Sequence, residues 1–309
     1  MTDALVKPLR IDHWTKNLVL IIGFIFAVFY NNNYSINYYT LIFAFLILCI
    51  SASSNYLINE FLDRRTDKFH PIKKLRTFVR LNKGNESKKI LIEYFFLISF
   101  SLTSSYFINQ SFFILNLVFI FFGIIYNVRP IRIKDIFLLD VILESVNNPL
   151  RFLMGWSVLM PNYFPPISIV LFFWLSGCFL MTMKRYSEYC YLVKHIKPEK
   201  YRLSFKHYNK KNLFELSILY SLSSLLFFTI FVIKYKIELI IIIPIGILLY
   251  LRVFKISTTK NSLIMRVEKI YRDKIFLYIA LLAVTCAFIL LRLDLNYLEI
   301  FLKKDLIKF

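Results

Sequence analysis

Nine stretches of about 20 residues, each nearly free of charge, follow one another along this chain, and segments of that length and composition have one solvent available to them, the bilayer. They run Trp14 to Tyr30, Tyr39 to Ile58, Ile90 to Ile108, Ser111 to Tyr126, Ile136 to Met160, Phe164 to Met183, Leu213 to Ile233, Glu238 to Phe254 and Ile275 to Leu293. The 309 residues are 58% hydrophobic, with a mean hydropathy of +0.60, more than one soluble core can cover. In hydrocarbon every backbone N–H and C=O has to be satisfied within the structure, which helices do segment by segment. The expected fold is an all-α integral membrane protein with nine transmembrane helices, forming a single polytopic domain over residues 1–309.

The net charge of +20 would suggest nucleic acid in a soluble chain, but its distribution argues for no nucleic-acid partner. Of the 39 Lys and Arg, 32 fall on one set of alternating connections: the N-terminal segment through Lys16, then residues 59–89, 129–134, 184–211 and 252–274. By the positive-inside rule that side is cytoplasmic, which places the N-terminus inside and, with an odd number of spans, the C-terminus outside a cell inner membrane. The basic charge then encodes topology and attraction to anionic membrane lipids. The first span lacks a small-residue cleavage site and reads as retained. Cys49, Cys178, Cys190 and Cys286 show no CxxC spacing, and His13, His70, His195 and His207 no metal-ligand spacing, so neither a disulfide framework nor a zinc site is indicated. Pro149 and Pro244 fall inside spans, where kinks are expected.

The outer connections are short and bland, whereas the cytoplasmic loops at about 59–89 and 184–211 are long and polar, so they are expected to cap an active-site cavity on that face. Asn55, Asn59, Asp63 and Asp67 recur every four residues at the end of the second span, a helical ladder that drifts about 40° per step, with Glu60 beside it. Carboxylates crowded on one face repel unless a cation sits among them, and oxygen donors without Cys or His suit Mg2+. The same acids could equally pair with Arg64, Arg65 and Lys68 at an ordinary juxtamembrane helix end. In the fifth span Asp140, Glu144, Asn147 and Arg151 lie within about 60° of one another on a helical wheel. Ionisable groups at that depth face a polar cavity or pair together, as Arg151 could with Asp140 or Glu144. Lys16, Arg132, Lys134, Lys184 and Arg185 stand at cytoplasmic helix ends and could meet a diphosphate.

These residues resemble a known pattern. "NEFLDRRTD", Asn59 to Asp67, is similar to the NDxxDRxxD signature of the UbiA superfamily of intramembrane prenyltransferases, with Glu60 in place of the usual Asp. Within it the chain is most similar to the branch containing decaprenyl-phosphate phosphoribosyltransferase, through "LRIDHWTKNLVL", "RIKDIFLLDV" with "LRFLMGW", and "MKRYSEY", all in the expected order over residues 7 to 190. Where aromatic prenyltransferases carry a second DxxxD motif, this chain reads Lys184-Arg185-Tyr186-Ser187-Glu188. A basic second site suits a lipid monophosphate and a soluble diphosphate donor.

The resemblance implies Mg2+ held by Asn59, Glu60, Asp63 and Asp67, with Asn59, Asp63, Asp67 and Asp140 catalytic. Substrate binding would fall to Lys16, Asn55, Lys134, Glu144, Asn147, Arg151, Lys184, Arg185 and Glu188. Glu188 is left open between a metal contact and a pair with Lys184 one turn away. The implied reaction moves 5-phosphoribose from phosphoribosyl diphosphate to a polyprenyl phosphate lipid. A second reading transfers a prenyl group from a prenyl diphosphate to an aromatic or other acceptor. A third, an ion-coupled transporter using Asp140, Glu144 and Arg151, lacks an internal repeat and polar groups on both faces.

Overall fold

The computed structural model describes residues 7–30, 37–81, 87–259, 263–295 and 298. All regular structure among them is helical, and nine long helices fall on the nine expected segments. The first begins as 3-10 helix, Ile11–Leu18, and continues as α1, Val19–Tyr30. Then come α2, Tyr38–Asp67; a short α3, Thr77–Leu81; α4, Ser87–Tyr106; and α5, Gln110–Asn127. After them follow α6, Leu139–Leu159; α7, Ile167–Leu192; α8, Lys210–Tyr235; α9, Ile242–Ser257; and α10, Lys274–Leu290.

Among the described residues, six helical segments are long and apolar enough to cross a membrane: Lys7–Tyr30, Tyr38–Asp67, Gln110–Asn127, Ile167–Leu192, Lys210–Tyr235 and Ile237–Ser257. The other three of the expected nine are α4, α6 and α10. Helix α4 opens on Ser87-Lys88-Lys89 and carries Glu93, α6 carries Asp140, Glu144 and Arg151, and α10 is apolar but has only 17 residues. The ionic stripe on α6 is what lowers its hydropathy.

The helices gather into two compact units, residues 1–165 with 188–213 and residues 166–187 with 214–309. In the first unit α1 lies along α6, and α2 packs on α4 and α5. Its core joins Leu20, Ala44, Ile47, Leu48, Phe112, Phe119, Leu150 and Met154, with a second cluster of Leu57, Ile58, Phe78, Ile90 and Tyr94 under the end of α2. The α1–α6 crossing brings backbone onto backbone. A Cβ on Gly23 would strike the carbonyl of Phe152, and one on Gly155 the carbonyl of Leu20, so only glycine fits at either point. Helix α6 runs through Pro149 without interruption.

In the second unit α9 packs on α10, and Ser176 and Ser224 each share a hydrogen bond with the Tyr250 hydroxyl, at 2.8 and 2.6 Å. Pro244 does not kink a helix interior: the segment before it is 3-10, Ile237–Ile241, and Pro244 sits in the first turn of α9, where no intrahelical donor is needed.

Candidate active site

The last two turns of α2 and the segments packed against them form a polar cluster in the first unit. Asp63 is its centre. Its carboxylate accepts from Lys134 Nζ at 2.6 Å and from Arg132 Nη2 at 2.9 Å. Both cations come from the connection between α5 and α6, where Arg132 adopts a left-handed backbone (φ 35°) that costs a non-glycine residue of order 1 kcal/mol and holds only where its surroundings demand it. Lys134 is 2% exposed, and burial, opposed by the Asp63 carboxylate, brings its ammonium down to about 8. Asn127, at the end of α5, completes the arrangement: its Oδ1 accepts from Lys134 Nζ at 2.9 Å and from Asn59 Nδ2 at 2.5 Å. Asp63, Thr66, Arg132, Lys134, Asp135, Tyr201 and Arg202 line a small polar cleft.

The other α2 acids are drawn in different directions. Asp67 is buried and paired with Arg76 from the following segment. Glu60, 3% exposed, accepts from Arg10 Nη2 at 3.1 Å and from the amide of Thr77 at 2.9 Å. Among the described residues no three His, Cys, Asp or Glu side chains gather closely enough to form a metal cage by themselves. A Mg2+ site does not need one. It is typically held by one or two carboxylates and completed by substrate phosphate oxygens and water. Asp63, Asp67 and Asn59 Oδ1 provide hard oxygen donors of that kind, while Glu60 is committed elsewhere.

The α6 stripe splits among partners. Asp140 is fully buried and accepts from Tyr208 Oη at 2.7 Å, Ser204 Oγ at 3.3 Å and Arg202 Nη1 at 3.4 Å, all on the segment after α7. It thereby ties down the stretch that carries Arg202 into the cleft. Glu144 accepts from the Tyr126 hydroxyl at 2.7 Å, and Arg202 donates to that same hydroxyl at 3.1 Å. Arg151, 6% exposed, donates to Asn17 Oδ1 at 2.8 Å and Asn148 Oδ1 at 3.3 Å and lies over the Phe119 ring. Asn147 turns its Nδ2 back to the Glu144 carbonyl, leaving Oδ1 buried with no hydrogen-bond partner. Asn55 Oδ1 is buried and unpartnered as well. It lies against Gly123, where a Cβ would strike the amide.

Lys16 sits half-buried on the 3-10 helix before α1, which Trp14 fastens to α2 through Ser53 at 3.1 Å. Glu188 is buried in the first unit. It accepts from His70 Nε2 at 3.3 Å and pairs with Lys73 at 3.5 Å. Lys184 and Arg185 lie on the part of α7 that belongs to the second unit, where Arg185 is fully buried. Sequence reasoning missed Arg10, Arg76, Asn127, Tyr126, Arg202 and Tyr208. Only Asn127 and Tyr126, polar groups closing an apolar span, leave a trace in the sequence; the rest lie in loops whose course no periodicity reveals.

Comparisons with known proteins agree with this architecture. A UbiA homolog from Archaeoglobus fulgidus, solved bound to GPP and Mg2+, superposes with a TM-score of 0.70 over 94% of this chain and 100% of its own, at 20% identity. A digeranylgeranylglyceryl phosphate synthase structure gives a TM-score of 0.63 over 91% of this chain and 96% of its own, at 19% identity. Decaprenyl-phosphate phosphoribosyltransferase from Corynebacterium glutamicum is 30% identical over 79 residues, which span 25% of this chain and only 23% of that enzyme. Residues 19–278 match the UbiA prenyltransferase family, and the chain, an integral membrane transferase by that membership, belongs to it.

Proposed function

We propose that this protein transfers 5-phosphoribose from phosphoribosyl diphosphate to a polyprenyl phosphate, releasing diphosphate. The observation that carries the reading is the cationic wall of the cleft: Arg132, Lys134 and Arg202 converge beside Asp63, a lining suited to phosphate groups on a soluble donor. The basic Lys184-Arg185 where other members carry a second acidic motif supports it, as does the short stretch of identity to decaprenyl-phosphate phosphoribosyltransferase. The orphaned carbonyl oxygens of Asn55 and Asn147 are acceptors suited to hydroxyl donors, which a ribose offers and a prenyl chain does not.

In the proposed reaction a phosphate oxygen of the lipid attacks C1 of the ribose, and the C1–O bond to the diphosphate breaks, its electron pair leaving with the diphosphate. The attacking phosphate is already anionic, so no general base is required. Asp63, Asp67 and Asn59 would hold Mg2+, which when bound neutralises charge developing on the leaving diphosphate. Arg132, Lys134 and Arg202 bind phosphate oxygens, and Asp140 holds Arg202 in place from behind. Catalysis rests on positioning and on fixed charge. In this reading nine helices cross the membrane and the cleft opens to the cytoplasm, where the soluble donor is.

Purified protein is incubated with labelled phosphoribosyl diphosphate and polyprenyl phosphate, and separately with labelled prenyl diphosphate and aromatic acceptors. Label entering lipid in the first mixture is the expected result. Product in the second alone would replace this reading with prenyl transfer.

A further inference from the structure

Glu60 and Glu188 stand in motif positions that suggest ligands, yet neither lines the cleft, and both hold one stretch of chain. Glu60 Oε1 accepts from the backbone amides of Thr77 at 2.9 Å and Phe78 at 3.4 Å, while its Oε2 meets Arg10 Nη2 at 3.1 Å. Arg10 is itself in a left-handed conformation (φ 50°). Glu188 Oε1 meets His70 Nε2 and Lys73 Nζ. The His70 ring is oriented by its other nitrogen: Nδ1 accepts from the amides of Ile72 at 3.1 Å and Lys73 at 3.2 Å, so Nε2 carries the hydrogen and donates it to Glu188. Lys73 also donates to the Tyr201 hydroxyl, and the His70 ring lies 4.9 Å from that of Tyr201.

The segment from residue 68 to 78 is thus gripped at 70 and 73 by the end of α7 and at 77 and 78 by α2. Arg76 lies between the two grips, paired with Asp67. An Asp at position 60 would be one methylene shorter, which gives the departure from the family signature a physical purpose: reach.

We propose that Glu60 and Glu188 are positioning residues that clamp the 68–78 segment over the end of α2 and so set Arg76 against Asp67, rather than ligands of metal or substrate. The test uses the detergent-purified full chain and E60A, E60Q, R10A, E188A and E188Q variants, with two readouts. The first is the rate of tryptic cleavage at Lys73, Lys74, Arg76 and Arg80, mapped by mass spectrometry. The second is the magnesium concentration for half-maximal activity, together with KM for the phosphoribosyl donor. The second readout rests on the transferase reading above; the first does not.

Losing a buried charged hydrogen bond is expected to expose the segment by about tenfold or more, so E60A and E188A are cleaved faster by that factor. E188Q keeps an oxygen that accepts from His70 and Lys73 and is cleaved at close to the wild-type rate. E60Q combined with R10A is expected to be no worse than the greater of the two single changes. Magnesium half-saturation stays within about twofold in every variant whose segment remains protected, while the donor KM rises in the unclamped variants. If E60A or E188A does not fold, the E60Q, R10A and E188Q results decide alone. Cleavage rates unchanged in every variant would overturn the inference, as would E60Q or E188Q shifting magnesium half-saturation by tenfold with the segment still protected.

Discussion

Asp63 balances the charge of the cleft, because two cations from one connecting segment converge on a single carboxylate. Replacing it by Asn would take the counter-ion from Lys134, leave Arg132 paired with Asp135, and remove a carboxylate oxygen. Turnover of the Asp63→Asn variant is expected to fall by about 100-fold or more, read in steady-state assays on protein whose size-exclusion profile is unchanged. His70 gives a different kind of prediction. Burial, reinforced by Lys73, depresses its pKa to about 4 from the ordinary 6.5, so the folded chain keeps the ring neutral where the unfolded chain protonates it. Stability is therefore expected to rise with pH between about 4 and 6.5 and to be lost as pH falls through that window. In His70→Asn the slope of melting temperature against pH over this range should flatten. At this scale the sequence offered the acids and Lys134, since charges at the end of an apolar span are conspicuous. Arg76 and Arg202 could not be distinguished from the ordinary basic charge of their loops.

Among the elements, the α1–α6 contact is the most exacting, because two glycines let the backbones touch. Gly155→Ala would press a methyl group onto the Leu20 carbonyl, with an expected loss of about 1–3 kcal/mol read as a lower melting temperature in detergent. Gly246→Ala is the internal control. A Cβ there meets only the Leu225 side chain at ordinary contact distance, and the change should be neutral or slightly stabilising. Periodicity placed Asp140, Glu144, Asn147 and Arg151 on one face of α6 correctly as a pattern, but a shared face does not mean a shared partner. Along one helix those residues climb past different neighbours: Tyr208 and Ser204 for Asp140, Tyr126 for Glu144, Asn17 for Arg151. The α2 ladder divides in the same way, Asp63 toward the cleft and Glu60 toward Arg10 and the amides of α3.

For the whole molecule, sidedness follows from the number of helices that cross. In a cysteine-free background, with the four native cysteines replaced by Ser, single cysteines at Asn162 and Lys206 report sidedness. An impermeant maleimide applied to intact cells is expected to label Asn162→Cys directly and Lys206→Cys only after permeabilisation, as nine crossings with an internal N-terminus require. Equal labelling of both without permeabilisation would contradict that topology. The helical class, the membrane as solvent and the acidic motif at the end of α2 were determined by the sequence alone, because hydropathy and helical spacing are local properties that survive whatever the chain does next. Which acids face the cleft, which serve as bolts, and which loop cations meet them was decided only by the tertiary structure, since those pairings join residues 50 to 120 positions apart and depend on where loops without periodicity come to rest.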